Sequence, residues 1–296
     1  MTEVVVPAQA RTRDETLSAR ILRLINKAPV HIVLALIALI WLAPTVGLLV
    51  TSFRPEGQAL GNGWWNALFN LNFTLDNYAY VINSEGMGQA FLNTVYISVP
   101  ATIIPIVVCS MAAYAFSWLR FPFRDTIFLV VVALLMIPVQ VGFIPLLKML
   151  APTGLLQGFG GIWLAHTAFA LPFGIFLLRN FFITLPRDLI EAARIDGSST
   201  IGIFRTIVVP LSVPAIAAYG IFQFLWVWND LLMALVFVQQ GTQWPMTRSV
   251  QNLLSQYGTE WHLLAAGAFL LMAVPLLVFF ALQRYFVQGL LAGSVK

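Results

Sequence analysis

Long apolar runs separated by shorter polar segments dominate the pattern along this chain. Crossing the hydrocarbon core of a bilayer as a helix takes about 20 mostly apolar residues, and six runs reach that length. They cover approximately residues 29–53, 90–119, 126–149, 159–183, 209–238 and 263–288. The pattern therefore predicts an all-α membrane protein with six transmembrane helices.

The composition excludes a soluble globular domain. Of 296 residues, 59% are hydrophobic and only 9% are charged, whereas charged residues make up roughly a quarter of soluble domains. The single cysteine, Cys109, lies inside an apolar run. It cannot form an intrachain disulfide, and we interpret it as a packed side chain.

The basic residues are distributed unevenly between the two sides of the predicted bundle. Of the 16 Lys and Arg residues, all but Arg54, Lys148 and Arg248 fall in segments that would share one side. The positive-inside rule therefore predicts that both termini are cytoplasmic. This asymmetry explains the basic pI without nucleic acid. The predicted regions are a cytoplasmic N-tail (1–28), a first transmembrane helix with an external loop (29–89), a transmembrane core (90–288) and a cytoplasmic C-tail (289–296).

A charged segment, EAARIDG, lies in the predicted cytoplasmic loop 184–208. Pro186 suits the first turn of a helix, and Gly197 suits the left-handed position just past its end. Ser198 or Ser199 can cap a second helix that leads into the fifth apolar run. The loop is therefore predicted to form a helix, a glycine bend and another helix.

One face of the first helix in this loop is made of small or aliphatic residues. Ile190, Ala193 and Gly197 share that face, which would let another surface approach closely. The charges on the helix are spaced for weak ion pairs, and they are Arg187, Glu191 and Arg194. From spacing alone, a docking surface and a solvated face remain equally open.

The loop closely resembles the EAA motif of permease subunits of ATP-binding-cassette importers. The matching residues are Glu191, Ala192, Ala193, Gly197, Ile207 and Pro210, with Asp196 directly before the glycine. The chain is also similar over nearly its whole length to maltose-type sugar permeases, including WVWNDLLMAL in the fifth run and GLLAGSVK at the end. It departs from that pattern at Leu231, where such permeases have a larger residue.

The resemblance implies a type I importer permease (MetI-like) fold in the cytoplasmic (inner) membrane of a prokaryote. It implies that the EAA loop docks in a groove of an ATPase subunit. The implied assembly contains a homologous second permease, two ATPases and an external sugar-binding protein, which the loop 239–247 would approach. The C-tail would contact the ATPases through Gly289, Gly293, Ser294 and Lys296.

The chain itself is predicted not to be an enzyme. It lacks a GxxxxGK[ST] phosphate-binding motif, and its glycine-rich run GLLQGFGG contains no lysine. ATP and Mg would therefore be bound by the partner ATPase, and no cofactor or metal is predicted in this chain. His31, His166 and His262 are scattered and form no HExxH motif, and no GxSxG elbow occurs.

The fifth apolar run contains the acidic residue Asp230. On a continuous helix, Tyr219, Gln223, Trp226 and Asp230 would form one polar and aromatic stripe, with Asn229 beside it. A carboxylate facing lipid is costly, so the stripe would face protein or a water-filled cavity. Two interpretations stay open, a sugar translocation path and hydrogen bonds to a neighbouring helix, and the second is favoured.

Two function classes follow. The leading one is a permease subunit that couples ATPase closure to carbohydrate import through its EAA loop. The alternative is an ion-coupled secondary transporter in which Asp230 binds a proton or sodium ion. The alternative is weakened because the chain has no convincing internal repeat and no other intramembrane acidic residue.

Overall fold

A computed structural model of the chain describes residues 17–61, 63–257 and 259–292, which are helical in large part and contain no strand. The first α-helices are α1 (Leu17–Ser52), α2 (Glu56–Gly61), α3 (Asp76–Asn83), α4 (Met87–Trp118), α5 (Arg124–Ala133), α6 (Phe143–Leu150) and α7 (Gly160–Phe182). The remaining ones are α8 (Arg187–Ile195), α9 (Thr200–Ile203), α10 (Val209–Leu211), α11 (Val213–Trp228), α12 (Leu232–Phe237), α13 (Met246–Gln256) and α14 (Trp261–Ala292). The predicted all-α class is confirmed.

Four helices are long and apolar enough to cross a membrane without a break. They are Ala28–Ser52, Met87–Trp118, Gly160–Phe182 and Trp261–Gln283. Two further candidates are bent pairs, Arg124–Met136 with Val139–Thr153 at 102° and Thr200–Leu211 with Val213–Trp228 at 78°. The described residues therefore contain four candidate spans, or six if each bent pair crosses once. Both bends fall in runs that contain proline, so the third and fifth runs are bent pairs rather than continuous helices.

Proline accounts for the break in the third run. Ile137 has an extended backbone (φ −86°, ψ 122°) directly before Pro138, because the proline ring disfavours the helical conformation of the preceding residue. The chain then turns through 102° and continues as a short 3-10 segment and α6. The helix predicted over 126–149 is thus divided at its middle.

The fifth run is interrupted twice. Pro214 has no N–H to donate to the carbonyl of Pro210, and the chain bends by 78° around Ser212. The helix α11 then ends at Trp228, and the short α12 begins only at Leu232. The single helix predicted over 209–238 is therefore three separate pieces.

The centre of the bundle is formed by α4, which packs along α7 and α11, while α14 packs against α11 and α1. Small residues permit the close approach of these helices. At Gly174 on α7, an added Cβ would lie 2.6 Å from the Sγ of Cys109 and would also meet the ring of Tyr219. Cys109 is fully buried beside Tyr219, as expected for a packed side chain.

Candidate functional site

The EAARIDG segment forms a sharp elbow between α8 and α9. Gly197 follows the end of α8 with φ +78°, in the left-handed region. Its N–H donates to the carbonyl of Arg194 (3.1 Å), and the N–H of Ser198 donates to the carbonyl of Ala193 (2.9 Å). This pair of bonds is the Schellman motif that ends many helices. The predicted glycine bend is confirmed.

A serine cap starts the second arm of the elbow. The side chain of Ser199 accepts a hydrogen bond from the N–H of Gly202 (3.1 Å). The helix α9 continues into a π-helical turn, Phe204–Val208, and then α10. Of the two predicted capping residues, Ser199 is the one used. Pro186 stands at the N-cap of α8, one position before the first turn in which it was expected.

Removing the Ser199 cap is expected to loosen the start of the second arm. Ser199→Ala leaves the N–H of Gly202 without its acceptor and should cost about 1 kcal/mol locally. Hydrogen exchange of the peptide covering residues 200–206 should then be roughly fivefold faster. Ser198→Ala is the matched control, because the Ser198 side chain has no hydrogen-bond partner among the described residues. Equal exchange in the two variants would contradict the assignment.

The small face of α8 is covered by the chain itself. Ile190 and Ala193 are 1% and 8% exposed and belong to a core cluster with Tyr114, Phe182 and Ile203. The close approach that these small residues allow is thus made by other segments of the same chain, and the solvated face that the spacing left equally open is excluded for Ile190 and Ala193. Spacing carries no information about which polypeptide covers a face.

The opposite side of the elbow is exposed and partly apolar. Ile195 is 85% exposed, Ile201 is 62% exposed and Leu189 is 47% exposed. Glu191 and Ala192 are exposed between them. We call these five residues the elbow surface. Ile195 alone would gain about 1.5–3 kcal/mol from full burial, so the elbow surface is suited to contact with another molecule.

Two hydrogen bonds fix the elbow to the end of α4. The Nη2 of Arg194 donates to the carbonyl of Trp118 (2.9 Å). The hydroxyl of Tyr114 donates to the carbonyl of Thr200 (3.1 Å). Arg194 thus reaches a backbone acceptor on another helix rather than Glu191. Displacement of the elbow must therefore move α4, because these two bonds connect them. It must also move α11, because the chain continues from the elbow into that helix.

The other motif residues lie on the same two arms. Asp196 is exposed at the C-cap of α8, with its N–H bonded to the carbonyl of Ala192. Ile207 is half-buried in the π-helical turn, and Pro210 is exposed in α10. The structure therefore brings all seven EAA-motif residues onto one continuous element that ends at the bend into α11.

The predicted polar stripe on the fifth run divides into two parts. Tyr219 and Gln223 are buried, with the Tyr219 hydroxyl 3.4 Å from the Sγ of Cys109 and the Gln223 Nε2 donating to the carbonyl of Ala101 (3.0 Å). Because α11 ends at Trp228, the helical spacing does not extend to Asp230. The continuous stripe is therefore wrong, and its first half is a set of interhelical contacts.

Asp230 instead caps the next helix. Its Oδ1 accepts from the N–H of Leu232 (3.0 Å), and its Oδ2 accepts from the N–H of Met233 (3.2 Å). The Nε2 of His166 lies 3.7 Å from the same Oδ2. Sequence spacing gives no sign of this neighbour, because α7 and the 229–231 turn meet only in the folded bundle.

Trp226 and Asn229 remain at the surface near that turn. Trp226 is 37% exposed and packs edge-on against the ring of His166, with the ring centres 5.8 Å apart. The side chain of Asn229 is exposed and donates back to the carbonyl of Leu225 (2.8 Å). Of the five predicted path residues, these two present side chains that another molecule can reach.

The remaining predicted site residues are at the end of the chain. Gly289 lies in α14, whereas Gly293, Ser294 and Lys296 lie outside the described residues. Within the described ranges, no group of three or more His, Cys, Asp or Glu side chains is placed to hold a metal ion.

Comparison with known proteins gives one consistent family. Residues 105–291 match the model of the binding-protein-dependent transport system inner membrane component. The chain is 53% identical to the osmoprotective compounds uptake permease protein GgtD of Synechocystis sp., covering 92% of this chain and 93% of that protein. It is 48% identical to the alpha-glucoside transport system permease protein AglG of Rhizobium meliloti, covering 84% of this chain and 67% of that protein.

A solved structure shares the fold. It is the crystal structure of a bacterial ABC transporter involved in the import of the acidic polysaccharide alginate. One of its chains is 21% identical to this one, with a TM-score of 0.77 over 95% of this chain and 100% of that chain. At this identity the similarity concerns the fold alone.

Proposed function

Because this chain belongs to the family of binding-protein-dependent transport system inner membrane components, we propose that it is the permease subunit of an ATP-driven importer of sugars or oligosaccharides. It spans the membrane several times and supplies part of the solute pathway. We propose further that both termini and the elbow face the cytoplasm, in accordance with the distribution of Lys and Arg.

The elbow surface is the observation that carries this proposal. Leu189, Ile195 and Ile201 expose apolar side chains on a polar turn that is closed by backbone hydrogen bonds at the end of the bundle. Apolar side chains displayed on a rigid helix suit insertion into a groove of a partner, here one of two ATPase subunits. Motion of that ATPase would be transmitted to α4 by the Arg194 and Tyr114 hydrogen bonds.

The rest of the assembly follows from the same proposal. A homologous second permease subunit would complete the pathway, and an extracytoplasmic binding protein would deliver the solute. ATP and Mg would be held by the ATPases, since the chain has no phosphate-binding glycine loop. The C-tail from Gly289 onward would reach between the ATPases.

The substrate class is supported by the relatives. AglG is named for alpha-glucosides and AraQ of Bacillus subtilis, 29% identical, for arabinooligosaccharides. The more similar GgtD is named for osmoprotective compounds. We therefore propose a neutral saccharide or small glucoside as the imported solute.

The family assignment does not support the alternative of an ion-coupled secondary transporter. The geometry of Asp230 also indicates a structural role, because both carboxylate oxygens accept hydrogen bonds from backbone N–H groups of α12. A carboxylate in that position caps α12 and holds the 229–231 turn in place.

Purification of the tagged chain from detergent-solubilised membranes tests the proposal directly. A second permease of this family and an ATPase should be identified by mass spectrometry among the proteins that come with it. The assembly should then take up saccharide into proteoliposomes only with ATP and its binding protein. A chain that purifies alone and moves solute in a protonophore-sensitive manner would refute the importer.

Substitution of Asp230 separates a capping role from proton transfer. Asp230→Asn retains an acceptor for the backbone N–H groups, so ATP-driven uptake should stay close to that of the wild type. Asp230→Leu leaves the N–H groups of Leu232 and Met233 without their acceptor, at about 1–3 kcal/mol for each buried group, and uptake should fall severely. Equal loss in both variants, measured in proteoliposomes, would indicate a titrating carboxylate instead.

A further inference from the structure

A polar cavity lies at the end of the bundle opposite the elbow. It is enclosed by the first turns of α4 and by the segment from Gly241 to Leu253, and its volume is about 270 Å³. Since α4 has 32 residues and ends at the elbow, its two ends are separated by about 48 Å. This cavity is therefore remote from the elbow surface and, by the proposed orientation, opens to the outside.

The lining of the cavity is a mixture of hydrogen-bonding groups. Its polar part consists of a carboxylate, three amides and two hydroxyls, from Glu85, Gln89, Asn93, Thr242, Ser249 and Asn252. Such a set offers donors and acceptors in several directions. A sugar ring carries hydroxyls that each donate and accept, so it is the type of solute whose hydrogen bonds this lining can satisfy.

One wall of the cavity is held rigidly. The amide of Asn93 is buried, donates to the carbonyls of Thr242 (2.9 Å) and Trp244 (3.0 Å), and accepts from the Nε2 of Gln89 (3.1 Å). These bonds fix the 241–244 turn to α4 across the cavity. The site is thus built by the fold and is not a gap between independent loops.

Other groups in the lining retain hydrogen-bonding capacity. Within the part of the chain that the structure describes, the side chains of Ser249 and Asn252 have no hydrogen-bond partner. Glu85 uses its Oε1 to accept from the hydroxyl of Tyr257 (2.9 Å), which orients the carboxylate and leaves the other oxygen available. These three side chains are the groups that would bind the solute.

Three other cavities differ from this one in their lining. Two cavities of about 490 and 320 Å³ among the spans are lined almost entirely by apolar residues. A larger one, of about 770 Å³, is also polar, but it carries three carboxylates, from Glu56, Asp76 and Glu260, beside its amide and hydroxyl groups. Pockets for drug-sized ligands measure roughly 300–1,000 Å³, so a cavity of about 270 Å³ has room for one sugar ring.

We propose that the cavity formed by Glu85, Ser249 and Asn252 binds one sugar residue of the transported saccharide at the outer mouth of the pathway. The inference rests on the proposed function and adds to it a direct contact between this subunit and its substrate. The cavity adjoins the 239–247 loop, so a solute leaving the binding protein would meet it before entering the bundle.

The test uses the complete complex of permeases and ATPases in nanodiscs, without binding protein. The probe is whichever of maltose, trehalose and sucrose the wild-type complex transports, and binding is measured by saturation-transfer-difference NMR. Asn252→Leu removes an amide that has no hydrogen-bond partner among the described residues. The affinity for the probe should fall about tenfold, which is the effect of losing one hydrogen bond. Gln251→Leu is the matched control, because the neighbouring Gln251 is exposed and does not line the cavity.

Each outcome separates the inference from the function on which it rests. Weakened probe binding in Asn252→Leu, with normal ATPase activity and an unchanged Gln251→Leu variant, supports the sugar site. Unchanged probe binding in Asn252→Leu overturns it. The inference is also overturned if Asn252→Leu binds the probe normally but needs more loaded binding protein to stimulate the ATPase. The cavity would then contact the binding protein and not the sugar. If the wild-type complex transports no saccharide or glucoside, the carbohydrate function itself fails.

Discussion

Gly197→Val is expected to uncouple ATP hydrolysis from solute uptake while the chain still assembles in the membrane. Gly197 has φ +78°, and an L-residue in a disfavoured backbone region costs about 1–3 kcal/mol, with the β-branched valine at the upper end. Relief of that strain changes the angle between α8 and α9, and with it the position of the elbow surface. The measurement is the number of solute molecules imported per ATP hydrolysed in proteoliposomes, which should fall at least tenfold.

Two controls isolate the effect of the bend. Gly154 has φ +75° and, like Gly197, open space around an added Cβ, but it lies near the start of α7, at the opposite end of the bundle from the elbow. Gly154→Val introduces the same backbone strain and should leave the ratio unchanged. Gly197→Asn should also retain most coupling, because asparagine tolerates the left-handed region. A normal ratio in Gly197→Val would refute the requirement for this conformation.

Ile195→Glu is expected to abolish association with the ATPase. Ile195 is 85% exposed and is the most exposed apolar side chain of the elbow surface. A carboxylate buried without a cation partner costs several kcal/mol, which exceeds the roughly 1.5–3 kcal/mol that burial of the isoleucine side chain would contribute. The ATPase should be lost from the purified complex while the second permease stays bound. Ile195→Ala should show a partial loss, since it removes apolar contact without adding charge.

The matched control for this variant is Thr126→Glu. Thr126 is exposed in the first turn of α5, just after the end of α4 to which Arg194 bonds, so the variant places the same charge at the same end of the bundle. It should purify with its ATPase. Because Ile195 makes little contact within the chain, both variants should also have wild-type thermal stability. Retention of the ATPase by Ile195→Glu would mean that docking uses another surface.

The arrangement of the elbow suggests how a small movement reaches the solute pathway. Arg194 and Tyr114 connect the two arms to α4, and the chain after Val208 leads through the bend at Ser212 into α11. A rigid turn fixed to two packed helices moves them together, whereas a flexible loop would absorb the displacement.

Sequence alone determined the features that depend on local chemistry. Long apolar runs predicted a helical membrane protein, because every backbone group must be hydrogen-bonded within a bilayer. The glycine bend and the serine cap of the elbow could be predicted from the sequence, because Gly197 and Ser199 determine the conformation and hydrogen bonds of backbone groups within a few residues. The EAA motif predicted the family that the comparisons confirm.

Only the tertiary structure decided which surfaces meet. Ile190 and Ala193 had the spacing of a contact face, but the chain's own core covers it and leaves Ile195 exposed. The predicted stripe to Asp230 assumed a continuous helix, whereas α11 ends at Trp228 and the carboxylate caps α12 beside His166. Periodicity reports which residues share a face of one helix. The partner of that face, and the point at which a helix stops, depend on packing between segments distant in sequence.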